Sequence, residues 1–490
     1  MIKRIFLPCV ILCFSVAELS AENIFGYFTN WGIYNKPYTA LDIPYEKLTH
    51  ILYAFFLPDT SGIILSSDQS ADEKILSAPD DSTKSLVYLA HQNGVKVLPS
   101  IGGWDGSSNF PALAGSAQAR SLFCSSVRAL IEKYRFDGID IDWEYPGYTE
   151  HNGTVQDAEN FVLLLAELRD TLKAIDGEQL LTLAIAGSSY YGQNFIVERF
   201  VDYVDYISIM TYDYTGIWNT TSWHNSPLYS YGTADNWSLH KAMEYYTSRG
   251  VPKNKLNIGM AFHGQTFATC TGPGTSHGGA GSGEQGQSGV LTYSTIDKNI
   301  KSGLYTRHWD SLAGVPYCLS NTGEYCTYDD PISIGMKAEY CKKNGFGGTI
   351  LWELKAGCAS DSSQPLLDAV SSVLLPPAGY AFDKKKPPVI SKLLIYNRMS
   401  GVEIVDQSSE FIACSIYDMR GCKVFSGTEK KYNNKFTISF NGMNRLHSGN
   451  YILQVTTHNG VYRTMYCHLI AYRTPKLSRQ LDPLMRNGGR

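Results

Sequence analysis

The segment Phe136-Asp137-Gly138-Ile139-Asp140-Ile141-Asp142-Trp143-Glu144 alternates acidic and apolar side chains. On a β-strand successive side chains point to opposite faces, so Asp140, Asp142 and Glu144 share one face. Ile139, Ile141 and Trp143 share the other. Like charges crowded into a partly desolvated channel cannot all ionise, and at least one carboxyl keeps its proton near neutral pH. Such an acid can protonate a leaving-group oxygen, the first step in breaking a glycosidic bond. A metal site or a salt-bridge ladder would be another use of the same file. No Arg or Lys is interleaved to neutralise it, which argues against the ladder.

Catalysis on this pattern needs a strand whose carboxyl end opens into a cleft. Residues 22–375 repeat short apolar runs separated by helix-like stretches: Ile24–Thr29, Ile51–Phe56, Val95–Ser100, Gly138–Glu144, Leu180–Ala186, Tyr206–Tyr212, Leu256–Phe262 and Gly348–Trp352. Buried runs alternating with helices predict parallel strands in βα units. Eight of them predict an α/β fold, a (β/α)8 TIM barrel, with Glu144 nearest the catalytic end of its strand. An open doubly wound sheet is the alternative, but no Gly-x-Gly-x-x-Gly follows the first run. The gap between the seventh and eighth runs exceeds one helix, which predicts a small α+β insertion over about 265–335. Residues 376–388, rich in Pro and Lys, read as a linker. Residues 389–470 alternate in β fashion, with turns at Asn441-Gly442 and Asn459-Gly460, and predict a C-terminal β-sandwich domain. The basic tail 471–490 has no clear periodicity.

The 490 residues carry a net charge of -4, with no basic surplus that would point to nucleic acid. Lys3, Arg4, the apolar run to Val16, and Ser20-Ala21 together read as a signal peptide over 1–21; the run is short of the roughly 20 residues a membrane span needs. Export to the extracellular space permits disulfides. Cys318 with Cys326 is the first candidate pair, followed by Cys341 with Cys358, and Cys414 with Cys422 or Cys467. Neither Cys-x-x-Cys nor paired-His spacing appears, so no metal and no cofactor is expected.

Over nearly all of residues 22–375 the sequence resembles glycoside hydrolase family 18, the chitinases and their relatives. The resemblance rests on Asp137-x-x-Asp140-x-Asp142-x-Glu144, Ser100-x-Gly102-Gly103-Trp104, Met210-Thr211-Tyr212-Asp213 with Gly216 and Trp218, and Gly347-Gly348 to Trp352. Gly26-Tyr27-Phe28-Thr29-Asn30-Trp31 and Trp309-Asp310 with Val315-Pro316-Tyr317 agree with it. It implies a substrate-assisted, retaining mechanism in which the sugar's own N-acetyl oxygen attacks the anomeric carbon. Glu144 would be the acid and later the base, Asp142 would orient the N-acetyl group, and Asp140 would share a proton with Asp142. Tyr212 would hydrogen-bond the N-acetyl oxygen. Trp352 would floor the reacting sugar, and Asp213 would touch it near the cleaved bond. Tyr27, Phe55, Gly103, Trp104 and Tyr145 would line the remaining subsites, with Met210, Trp218 and His263.

One stretch departs from the family. Its seventh strand usually continues as Tyr-Gly-Arg, and here it reads His263-Gly264-Gln265. The resemblance implies chitin or chito-oligosaccharides as partners and an endo-acting, secreted, monomeric enzyme. Cleavage of N-glycan cores and a non-catalytic chitin-binding lectin are the alternatives. The insertion favours chitin, and the presence of Glu144 disfavours the lectin. The C-terminal domain resembles type IX secretion sorting domains through Ile416-Tyr417-Asp418-Met419-Arg420-Gly421 and Leu446-His447-Ser448-Gly449-Asn450-Tyr451. That resemblance implies secretion machinery as a further partner and surface attachment as a further location.

Overall fold

The computed structural model describes residues 22–375, apart from 35, 36, 176, 235, 285, 360 and 362, and the backbone of seven strands between 393 and 468. The eight apolar runs are eight strands: β1 (Asn23–Thr29), β2 (His50–Pro58), β3 (Lys96–Gly102), β4 (Gly138–Asp142), β5 (Leu180–Ala186), β6 (Tyr206–Met210), β7 (Leu256–Ala261) and β8 (Gly348–Trp352). Each pairs in parallel with the next, and β8 pairs with β1, which closes the barrel. Strand pairing stops at Asp142 in β4 and Met210 in β6, so Glu144 and Tyr212 lie just beyond their strands.

The outward apolar face of β4 packs as its alternation requires. The Trp143 ring stacks on Phe110 at 5.2 Å and meets Phe161 edge-on at 5.3 Å. Phe161 belongs to the helix Asp157–Lys173, which lies beside the helix Ala117–Tyr134. The Ser116 side chain caps the second helix by accepting from the Ala119 N–H, satisfying one of the donors that a helix start leaves open. Inside the barrel, Phe25, Leu52, Leu98 and Ile350 form a dry plug beneath the carboxylates. That plug gives the acids a low-dielectric floor.

Between β7 and β8 lies a five-stranded antiparallel sheet, in the order Val290–Thr292, His263–Phe267, Tyr325–Thr327, Val315–Ser320 and Tyr305–Asp310, with the helix Tyr293–Lys301. Its first long strand begins at His263, directly after β7. Cys318 and Cys326 sit opposite each other across this sheet, yet both are free thiols, as are Cys341 and Cys358. The expected pairings therefore fail within this region, because the sulfurs have other partners. Cys318 is hydrogen-bonded with the Tyr328 hydroxyl. Cys341 donates to the Gly348 carbonyl at 3.3 Å, and Cys358 accepts from the Gln364 amide at 2.8 Å.

The C-terminal unit holds two antiparallel sheets. One has Leu393–Arg398, Gly401–Asp406 and Lys435–Ser439. The other has Lys423–Gly427, Phe411–Asp418, Gly449–Thr457 and Gly460–His468. The segments read as signal peptide, linker and basic tail lie outside the described residues, as do the side chains of Cys414, Cys422 and Cys467.

Candidate active site

Parallel register places Ser100 of β3, Asp140 of β4 and Thr182 of β5 in one row across the sheet. Both hydroxyls donate to the Asp140 carboxylate, Ser100 at 2.8 Å and Thr182 at 2.5 Å, and the Tyr27 phenol donates at 3.2 Å. Asp140 is fully buried, and burial raises its proton affinity although all three donors oppose the rise. One row further up, Asp142 lies between Gly102 and Ala184, which offer no side-chain donor. Its Oδ1 is buried without a hydrogen-bond partner. Burial, then the charges of Glu144 and Asp140, push the Asp142 carboxyl well above the usual range.

Glu144 caps the file. Its backbone N–H donates to the Ser107 hydroxyl at 2.8 Å, and its carbonyl accepts from the His151 ring at 2.7 Å. Burial pushes its carboxyl up to about 7, a hydrogen bond with Tyr145 opposes the rise, and the charges of Asp213 and Asp105 add to it. An acid held near 7 can both give and take a proton close to neutral pH. Tyr212, nearly buried in the same interior cluster as Met210, keeps its phenol protonated and able to donate, chiefly through burial and then the Asp142 charge.

Asp213 adopts a left-handed backbone (φ 54°), which Asp tolerates better than most residues. Its N–H donates to the Asn225 side-chain oxygen at 3.1 Å. His263 and Gln265 are two apart on one strand and so share a face. Each donates to the same Asp213 oxygen, Oδ1, at 2.9 Å. Burial would raise Asp213, but the charge and hydrogen bond of His263 and the Gln265 amide hold it below the usual carboxylate range.

Aromatic rings surround the acids. Trp352 lies stacked with Phe55 at 5.7 Å and edge-on to Tyr27 at 5.0 Å. Gly103 makes room for Phe55, since a Cβ there would meet that ring at 2.6 Å. Trp104 and Trp218 are exposed, at 49% and 64%.

Residues 23–357 match the family described as Glycosyl hydrolases family 18. The chain belongs to that family. Chitinase 1 of Aphanocladium album is 34% identical over 351 residues, covering 67% of this chain and 80% of that one. The Group IV chitinase of Ostrinia furnacalis superposes with a TM-score of 0.67 at 28% identity, over 72% of this chain and all of that one. A mutant of catalytic domain 2 of the Group II chitinase from the same organism, solved in complex with penta-N-acetylchitooctaose, (NAG)5, gives 0.67 at 29% identity, over 72% and 97%.

In this family 18 barrel Tyr27 is 1% exposed and donates its hydroxyl to Asp140. Ser100 was part of a motif, but its bond to Asp140, like that of Thr182, follows only from register, and Ser107, His151 and Asn225 contribute only through loop geometry. Trp31 lies 6.5 Å from Trp352, and Tyr191 stacks on Tyr145 at 4.5 Å. Among the described residues no cluster of His, Cys, Asp or Glu is arranged to hold a metal ion, and no helix is long and apolar enough to cross a membrane.

Proposed function

We propose that this family 18 protein is a chitinase that hydrolyses β-1,4 bonds between N-acetylglucosamine units within the polymer, with retention at the anomeric carbon. The observation that carries the reading is the pairing of a protonatable Glu144 with the unpartnered, buried Asp142 Oδ1 two residues before it. A buried polar atom without a partner is costly, and a ligand amide would satisfy it. The N–H of a sugar's acetamido group is such a donor. With its N–H held by Asp142 and its oxygen by the Tyr212 hydroxyl, the acetamido group is set to attack the anomeric carbon. The bond to the leaving oxygen breaks as Glu144 passes its proton to that oxygen. The resulting oxazolinium-type intermediate is opened by water, which returns a proton to Glu144. Asp140 acts from below, sharing with Asp142 the proton that the file retains.

Trp352 is the apolar floor under the reacting sugar, and Phe55, Trp104, Trp218, Tyr145, Met210 and Gly103 line the remaining subsites. The insertion between β7 and β8 is read as a small α+β domain that deepens the cleft. The two C-terminal sheets are read as a β-sandwich that serves as a secretion sorting domain. Residues 1–21 direct export, and the mature enzyme is monomeric, extracellular or surface-attached.

Product analysis on N-acetylglucosamine oligomers of defined length, with plain cello-oligosaccharides as control, tests this reading. Cleavage of internal bonds is expected only when the 2-acetamido group is present. Glu144→Gln should lower the rate by about 10²–10⁴-fold while oligomer binding persists. Full activity in that variant, or equal turnover of cello-oligosaccharides, sinks the assignment. Binding without any hydrolysis by the unaltered chain would make it a lectin.

A further inference from the structure

We infer that His263 is a positioning residue that sets the net charge Asp213 presents to Glu144, so that the imidazole governs how firmly the catalytic acid holds its proton. The inference rests on the chitinase reading above.

Three observations place His263 in that role. Its Nε2 donates to Asp213 Oδ1 at 2.9 Å, and the Gln265 amide donates to the same oxygen at the same distance. The ring is 8% exposed and enclosed, while the Asp213 side chain remains 40% exposed at the cleft. Asp213 in turn is one of the charges that raise Glu144. Asp213 thus has one neutral donor, the amide, and one partner whose charge can change.

The groups facing this pair come from each neighbouring element. Tyr212, beside Asp213, lies with its ring centroid 6.1 Å from that of His263. The Trp352 carbonyl and Glu353 approach the imidazole from the end of β8, and Glu353 also feels Lys355. The Asp213 charge also acts on Glu144 and Tyr145. Burial disfavours the charged imidazole, but the Asp213 charge and hydrogen bond, with the Trp352 carbonyl and Glu353, outweigh it and raise the proton affinity of His263 above the ordinary histidine value.

The sign of the coupling follows. Below its titration His263 is a cation, the Asp213 charge is compensated, and Glu144 is held less high. Above it Asp213 stands as an uncompensated anion, and Glu144 retains its proton to higher pH. A histidine changes charge in the same range in which Glu144 must donate. The alkaline limb of activity is therefore extended by a charge that appears as pH rises. A fixed cation at this place would remove that extension.

Two full-length variants test the idea through kcat and kcat/KM on N-acetylglucosamine oligomers across about pH 4 to 9. His263→Gln removes the cation and should move the alkaline limb of kcat/KM to higher pH. Gln265→Arg adds a permanent cation and should move it to lower pH, each by up to about one unit. Opposite displacement supports the inference. Lower rates with unmoved limbs, or displacement in one direction for both, overturn it. Should His263→Gln fail to fold, Gln265→Arg decides alone, and an unmoved limb overturns the inference. If the unaltered chain hydrolyses no such oligomer, the chitinase reading fails. NMR titration of the His263 ring then still decides the pair: Asp213→Asn should lower its pKa, and an unchanged pKa overturns the coupling.

Discussion

Asp142 and Asp213 are the same residue type around one cleft, and their proton affinities move in opposite directions. Asp142 is flanked in register by Gly102 and Ala184, and its nearest charges are Glu144 and Asp140. Burial and like charge act together there. Asp213, whose side chain is 40% exposed, is flanked by an imidazole and an amide aimed at one oxygen, and these lower its proton affinity. Asp140 stands between the two cases. Three neutral donors serve it, yet burial still prevails. Neutral hydroxyls moderate a buried carboxyl, whereas a charged partner inverts its preference.

Removing the Asp142 carboxylate is the largest test of that contrast. Asp142→Asn should cut kcat by about 10²–10³-fold, the scale of losing one pre-oriented electrostatic partner of the reacting group. Initial rates on chito-oligomers measure it, and a change below threefold would show that the unpartnered oxygen has no part in the reaction. Next in size is the support of Asp140. Ser100→Ala and Thr182→Val each remove a donor to a buried carboxylate and should cost about 1.5–3 kcal/mol where Asp140 is ionised. These donors lower its pKa, so the cost should be larger in alkaline than in acidic urea melts. A pH-independent loss would mean the hydroxyls serve packing alone.

That second test concerns a meeting of residues that no reading of the chain in one dimension could find. The eight strands were legible because strands buried on both faces appear as unbroken apolar runs. The acid file was legible because a period of two puts Asp140, Asp142 and Glu144 on one face whatever surrounds them. Ser100 and Thr182 are 82 residues apart, and their meeting at Asp140 depends on the stagger of three strands. Tyr27 was expected at the sugar, and its bond to Asp140 was not legible, since an inward-facing aromatic looks the same in sequence whether it lines a cleft or supports an acid. Cys318 and Cys326 are close in the chain and opposite in the sheet, yet both are free thiols, and the hydrogen bond of Cys318 with Tyr328 is not something spacing encodes. His263 stood out as a departure from the family, while its partner fifty residues earlier became visible only in three dimensions.

A smaller effect sharpens the comparison by leaving the charges alone. Trp352→Ala removes the aromatic floor but no titrating group. It should raise KM about tenfold, the equivalent of roughly 1.4 kcal/mol of lost apolar contact, with both limbs of the pH profile unmoved. A displaced limb would show that the walls of the cleft, through its dielectric, set the acidities as much as the neighbouring charges do.

The smallest expected effect is the most discriminating. Asp213→Asn removes the anion that raises Glu144, so Glu144 should release its proton more readily and the alkaline limb of kcat/KM should fall in pH by less than about one unit. Activity depends on a protonated Glu144, held near 7 in the intact site, so rates above neutrality should suffer more than rates below it. The same pair thus yields displacements of opposite sign, upward when its cation is lost and downward when its anion is lost. General damage to the fold cannot produce that reversal, because it would lower rates without regard to which member of the pair was removed. An unmoved limb in Asp213→Asn would place Glu144 under the control of burial alone and erase the distinction between the two sides of the cleft.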